Sequence, residues 1–280
     1  MKTRVLTGIG IFLVGVPLII FSEYIVYSIA LGLLSLMATF ELLRALSLHK
    51  NCILSVPAFL ISFALPLFAH SIFVKSTEHI NYIAILFLVL FVFLLYLAFA
   101  AVFSKGKITF ASVSSVFLAV TYISVAFTSL SLLRYMELGV YLFGMVFIGA
   151  WVCDTFAYFT GMLLGKHKLI PELSPKKTVE GSLGGIVFTV LAFLLYGFII
   201  EKAARLDANY LVLALTGLLL SVISQLGDLF ASLIKRELGI KDYGRLLPGH
   251  GGIMDRFDSI IAVSGVLMMI CILFPPFTAV

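Results

Sequence analysis

Apolar runs long enough to cross a bilayer recur nine times along this chain and leave little sequence between them for anything else. A hydrocarbon core about 30 Å thick takes roughly 20 apolar residues of helix to cross. Runs of that kind cover residues 5–22, 24–43, 52–74, 81–103, 109–133, 138–164, 182–200, 210–234 and 255–277, the fifth being the one most diluted by Ser and Thr. Backbone in lipid must satisfy its own hydrogen bonds, and runs of this length do so as helices. The expected fold class is therefore all-α: a polytopic integral membrane protein with nine transmembrane helices. Hydrophobic residues make up 62% of the 280 and charged residues only 12%, a balance foreign to soluble domains.

Alternate loops of such a protein should differ in Lys and Arg, with the excess on the cytoplasmic side. With the N-terminus inside, 15 of the 19 basic residues fall on the inner side and 4 (Lys75, Arg134, Lys202 and Arg205) on the outer. Nine spans then place the C-terminus outside. Lys2 and Arg4 precede the first apolar run, but no small-x-small cleavage pattern follows before Glu23, so that run is expected to be a retained helix. The net charge of +5 fits this inside bias and attraction to anionic lipid, and calls for no nucleic-acid partner. Cys52, Cys153 and Cys271 are scattered and odd in number, with neither disulfide nor metal-ligand spacing.

Residues 1–137 carry few ionisable groups away from span ends and are expected to be scaffold. Glu41 and Arg44, three apart, are expected to form a helix-end pair there. Residues 138–280 hold the chemistry, within what is expected to be one continuous membrane domain. Asp154 and Asp228 lie inside apolar spans, where a carboxylate needs a cation or a hydrogen-bonding partner. The loops 165–181 and 235–254 hold most of the remaining charge.

The densest cluster is the 27-residue stretch from Ser232 to Asp258. If a helix starts near Ile253, Asp255 and Asp258 project from one face and can share a cation. Before them Gly249, Gly251 and Gly252 allow backbone N–H groups to converge on an anion, and the helix start adds its dipole. Glycine loop, helix start and acidic pair together suit a polyphosphate carried jointly by amides and Mg2+. Basic groups form two sets: Lys176 and Lys177, and Lys235, Arg236, Lys241 and Arg245. Arg grips phosphate bidentately, whereas Lys acts as a point charge. Ser174 and Pro175 read as N-cap and first residue of a helix.

Ser232, Lys235-Arg236, Lys241-Asp242, Gly244, Leu247-Pro248, His250-Gly251-Gly252 and Asp255-Arg256-Phe257-Asp258 resemble, without departure, the signature of the phosphatidate cytidylyltransferases, also called CDP-diacylglycerol synthases. Asp154 with its following residues and the Ser174–Gly181 segment also resemble that family, so the likeness spans residues 151–258. The resemblance implies the reaction of CTP with phosphatidate to give CDP-diacylglycerol and diphosphate, with Mg2+, at the cytoplasmic face of the cell membrane, by a homodimer. On that basis Asp228, Asp255 and Asp258 are assigned to the metal site, as one Mg2+ or a pair of cations, with Asp154 as a further candidate. Lys235, Arg236, Lys241 and Arg256 are assigned to the triphosphate, Lys176 and Lys177 to the phosphatidate head group, and His250 to a hydrogen bond with phosphate. Ser232, Asp242, Gly251 and Gly252 complete the substrate-binding set. A related CTP-using lipid enzyme, such as a polyprenol kinase or a CDP-archaeol-type synthase, shares setting and nucleotide but not this complete signature.

Overall fold

The computed structural model describes Ser22, residues 24–73, 79–246, Gly249 and residues 251–279. Among the described residues, eight helices are long and apolar enough to cross a membrane. They are α1 (Ile25–Ala45), α2 (Cys52–Phe73), α3 (His79–Phe103), α4 (Phe110–Tyr135), α5 (Gly139–Leu164), α6 (Val179–Ala204), α7 (Tyr210–Glu237) and α8 (Met254–Leu273). Each matches one of the expected runs to within a few residues. The expected first span, 5–22, lies outside the described residues apart from Ser22.

The chain forms two compact units, one from the described residues of 1–136 with Ile240–Arg256, the other from Glu137–Gly239 with the described residues from Phe257 onward. In the first unit, α1, α2 and α4 pack against one another, and α3 lies on α2 and α4 with little of its span buried. Hydroxyl pairs stitch the three packed helices: Thr39 with Ser62 at 2.8 Å, Ser124 donating to Ser62 at 3.1 Å, and Ser28 with Ser131 at 2.8 Å. Small hydroxyl side chains let helices approach closely and bond where lipid offers no partner. This explains why the run most diluted by Ser and Thr becomes α4, whose span is 72% buried. Those hydroxyls point into protein.

In the second unit α5 packs on α6, and α6 on α7. Helix α5 contains a five-residue π segment, Ile148–Val152, just before Asp154. Such insertions shift the register of everything that follows them. Buried Gln225 of α7 donates to Ser182 O of α6 at 3.3 Å and lies 3.6 Å from Cys153 Sγ of α5, tying three helices together. Two short antiparallel strand pairs complete the unit: the hairpin of β1 (Lys168–Ile170) with β2 (Ser174–Thr178), and the long-range pair of β3 (Leu206–Ala208) with β4 (Phe277–Ala279). Pro275 and Pro276 follow α8 and cannot continue a helix, so the last run ends as strand.

The Ser174–Pro175 helix start is corrected. Ser174–Thr178 is extended, and α6 begins at Val179 with Thr178 as N-cap, its side-chain oxygen accepting from Gly181 N at 3.1 Å. Pairing with β1 (Lys168 opposite Thr178) holds the segment as strand and moves the cap four residues on.

Candidate active site

In the second unit, carboxylates meet carboxylates. Asp228 on α7 and Asp258 on α8 are brought together where the two helices touch at Gly227, whose missing Cβ would lie 3.1 Å from Asp258 O and collide with Ala262. Any larger residue there would push the helices apart. The Asp258 carboxylate is close enough to those of Asp228 and Asp154, and to the Lys235 ammonium, for their charges to act on it. Ser259 Oγ donates to Asp154 Oδ2 at 3.2 Å. Lys177 Nζ, half-buried, lies 2.5 Å from Asp228 Oδ2. Asp228, Ser232 and Lys235 share one face of α7 through their i, i+4, i+7 spacing.

The two lysines expected to act together on a lipid head group are thereby separated. Successive strand residues point to opposite sides. Lys177 turns to Asp228, while Lys176 is exposed. Arg236 Nε lies 3.5 Å from Leu173 O at the β1–β2 turn.

In the first unit the acidic groups are instead surrounded by backbone amides. Asp255 Oδ2 accepts from Tyr243 N at 2.8 Å and from Gly252 N at 3.0 Å. Glu41 Oε2 accepts from Met254 N at 2.9 Å, and Ile253 N–H bonds to the same carboxylate. The amides expected to cradle a phosphate, at Gly252 and the start of α8, are thus engaged by two protein carboxylates. Gly251, with φ 87°, makes the turn that leads into them.

Positive charge in this unit is carried by side chains. Arg44, Lys241 and Arg245, with Ile240, Asp242 and Gly244, line a cavity of about 490 Å³. That size suits a nucleotide or a phosphorylated head group. Arg256 is exposed in the first turn of α8. His250, with Leu247 and Pro248, lies outside the described residues.

Glu41 and Arg44, expected as a helix-end pair in an inert scaffold, both serve the 240–256 segment: Arg44 Nη2 donates to Tyr243 O at 2.8 Å. Tyr243 escaped the sequence reading as well. It is 1% exposed and is the largest fully buried side chain among the described residues. The only local hint of these contacts was a missing one: Gly251-Gly252-Ile253 provides no side chain to cap the helix beginning at Met254.

The donor set of the second unit fits Mg2+, a hard cation that keeps waters and binds through one or two carboxylates plus phosphate oxygens. Among the described residues no three acidic, imidazole or thiol groups form a ready cage, and that mode of binding requires none.

Comparison with known proteins adds a second line of evidence. The model of the cytidylyltransferase family matches residues 2–274. A Staphylococcus epidermidis protein named phosphatidate cytidylyltransferase is 37% identical over 272 residues, covering 97% of this chain and 99% of its own length. A Bacillus subtilis protein of the same name is 37% identical over 283 residues, with 98% of each chain covered. One from Staphylococcus aureus is 34% identical over 277 residues, covering 97% and 99%. With a family match across almost its whole length and the Ser232–Asp258 signature set out across these two centres, the chain is a member of the cytidylyltransferase family, a multi-pass membrane nucleotidyltransferase.

Proposed function

We propose that this enzyme joins CTP to phosphatidate, giving CDP-diacylglycerol and diphosphate, at the cytoplasmic face of the cell membrane. The observation that carries the proposal is near-full-length similarity to proteins named for that reaction, in a chain whose signature residues all match.

A phosphate monoester oxygen of phosphatidate attacks the α-phosphorus of CTP in line. The bond from that phosphorus to the oxygen bridging to the β-phosphate breaks, and diphosphate leaves with the electron pair. The nucleophile is already an anion near neutral pH, so no general base is needed. Catalysis then reduces to positioning, charge neutralisation and exclusion of water. Lys241, Arg245 and Arg44 are proposed to hold phosphate oxygens in the basic cavity, with Arg256 adding positive charge; Arg236 is proposed to meet phosphate from the second unit. Lys177 and Lys235 steady the carboxylates of Asp228 and Asp258 and are placed to exchange onto phosphate when substrate arrives.

Asp228 and Asp258 are proposed to hold Mg2+, with Asp154 beside them as a further candidate; the ion would neutralise the charge that develops on the leaving diphosphate. For Asp255 the two amide contacts at Oδ2 support a structural duty, and its assignment to the metal is the part of the proposal that a metal titration decides. The pairing of two copies expected from the resemblance belongs to the proposal too.

One assay separates this reaction from a lipid kinase. Purified enzyme given Mg2+, phosphatidate and α-labelled CTP should label the lipid and release diphosphate, while diacylglycerol takes no label. Lipid labelled from γ-labelled but not α-labelled CTP would refute the proposal. Orientation rests on the uneven division of Lys and Arg, and Gly239→Cys tests it. Labelling of that cysteine in intact cells by an impermeant reagent would place the 235–254 loop on the wrong side.

A further inference from the structure

The helix that bears Asp255 and Asp258 begins without a local cap. Amide groups in the first turn of a helix have no partner within it, and a Ser, Thr, Asp or Asn just before the start normally supplies one. Before Met254 stand Gly251, Gly252 and Ile253, which have nothing to offer. The acceptor comes from 213 positions away, where Glu41 in the last turn of α1 takes the N–H groups of Met254 and Ile253. Its side chain is 5% exposed.

The same carboxyl group fills the space beside two signature glycines. A Cβ on Gly252 would stand 2.5 Å from Glu41 Cδ, and one on Gly244 would stand 2.6 Å from it. A side chain at 244 or 252 would therefore displace the Glu41 carboxylate. Both ends of the 244–252 segment close on this one group, and Arg44, one turn along α1, holds the adjacent carbonyl of Tyr243. Lys241, Asp242 and Arg245, which line the basic cavity, hang from the backbone so held.

We propose that Glu41 is a positioning residue of the transfer reaction: it sets the backbone at Gly244 and Gly252 and the first turn of α8, and through them the cationic groups that receive the nucleotide. The inference rests on the CTP-dependent activity proposed above. It adds to that activity a residue from the half of the chain that carries none of the family signature.

The test uses the full-length protein in nanodiscs, with KM for CTP, KM for phosphatidate and the unfolding midpoint measured on each variant. Glu41→Gln keeps the shape and removes the charge that two amides share. Its KM for CTP should rise about tenfold or more, the factor attached to one hydrogen bond to a charged group. KM for phosphatidate should stay within about twofold if the loop serves the nucleotide alone. Gly252→Ala should displace the Glu41 carboxylate and raise KM for CTP by itself, yet add little to Glu41→Ala, because the group it collides with has gone. An unchanged KM for CTP in a folded Glu41→Gln enzyme would overturn the proposal. So would strictly additive effects of Glu41→Ala and Gly252→Ala on the midpoint, which needs no substrate. A wild-type protein that transfers no label from CTP to phosphatidate would instead strike down the reaction, and this inference with it.

Discussion

Two acidic centres in this molecule use the same side chain to opposite ends. In the first unit Glu41 and Asp255 each accept two backbone N–H groups, so the fold itself answers their charge. In the second unit Asp154, Asp228 and Asp258 act on one another, relieved by Lys177, Lys235, one serine hydroxyl and one backbone N–H, that of Ser259 donating to Asp258 Oδ1 at 2.8 Å. A carboxylate matched by amides lowers the energy of the folded chain. Carboxylates crowded together raise it, and a fold keeps such a group where a cation is to be received. The arrangement of donors around an acidic group thus separates a buttress from a binding centre more sharply than its place in a motif.

That contrast is broken or sharpened first by removing charge from the crowded centre. Asp228→Asn and Asp258→Asn should each lower turnover by on the order of a thousandfold, the scale of losing electrostatic stabilisation at a phosphoryl centre. The unfolding midpoint of Asp258→Asn should stay level or rise, since like charges have been parted, whereas Asp228→Asn also strands Lys177 and should lose some stability. Near-wild-type turnover in either variant, or a clearly lowered midpoint in Asp258→Asn, would move that residue out of the metal centre.

Asp255→Asn should show the opposite signature and the smaller effect on chemistry. Weakening two charge-assisted bonds should cost about 2 kcal/mol of stability, read as a lower midpoint. Turnover should fall less than in Asp258→Asn, with the Mg2+ concentration for half-maximal rate unmoved. If that concentration shifts as far as it does in Asp258→Asn, Asp255 binds the metal and the division between the two centres fails.

Much of this architecture was legible in residue order because bilayer thickness acts directly on run length: all eight described helices fall on expected runs. That Asp154 and Asp228 would need partners was legible too, since charge inside an apolar span is costly; the structure gives the first a serine hydroxyl and the second a lysine. Local patterns misled where a distant partner overrode them. Ser174-Pro175 has the form of a helix start, but pairing with β1 gives the cap to Thr178 instead. Glu41 and Arg44 have the spacing of a helix-end pair and do act on each other, but the chain also returns two hundred positions later to use both. A glycine tells the reader that something comes close. It does not say what, and here Gly252 was ascribed to an anion when a glutamate fills the space beside it and Gly244.

The bond between Glu41 and Met254 joins the first described helix to the last. During synthesis the earlier partner is made and inserted while the later one has yet to leave the ribosome, and contacts so distant in sequence form late. Until α8 arrives, the glutamate is a buried charge without its amides and the loop has no fixed ends. A chain cut short before Met254 would therefore carry seven of the eight described helices and leave Glu41 without the amide it meets in the folded protein. The segment at Tyr243 and Gly252 takes its shape only when the last described helix enters the membrane.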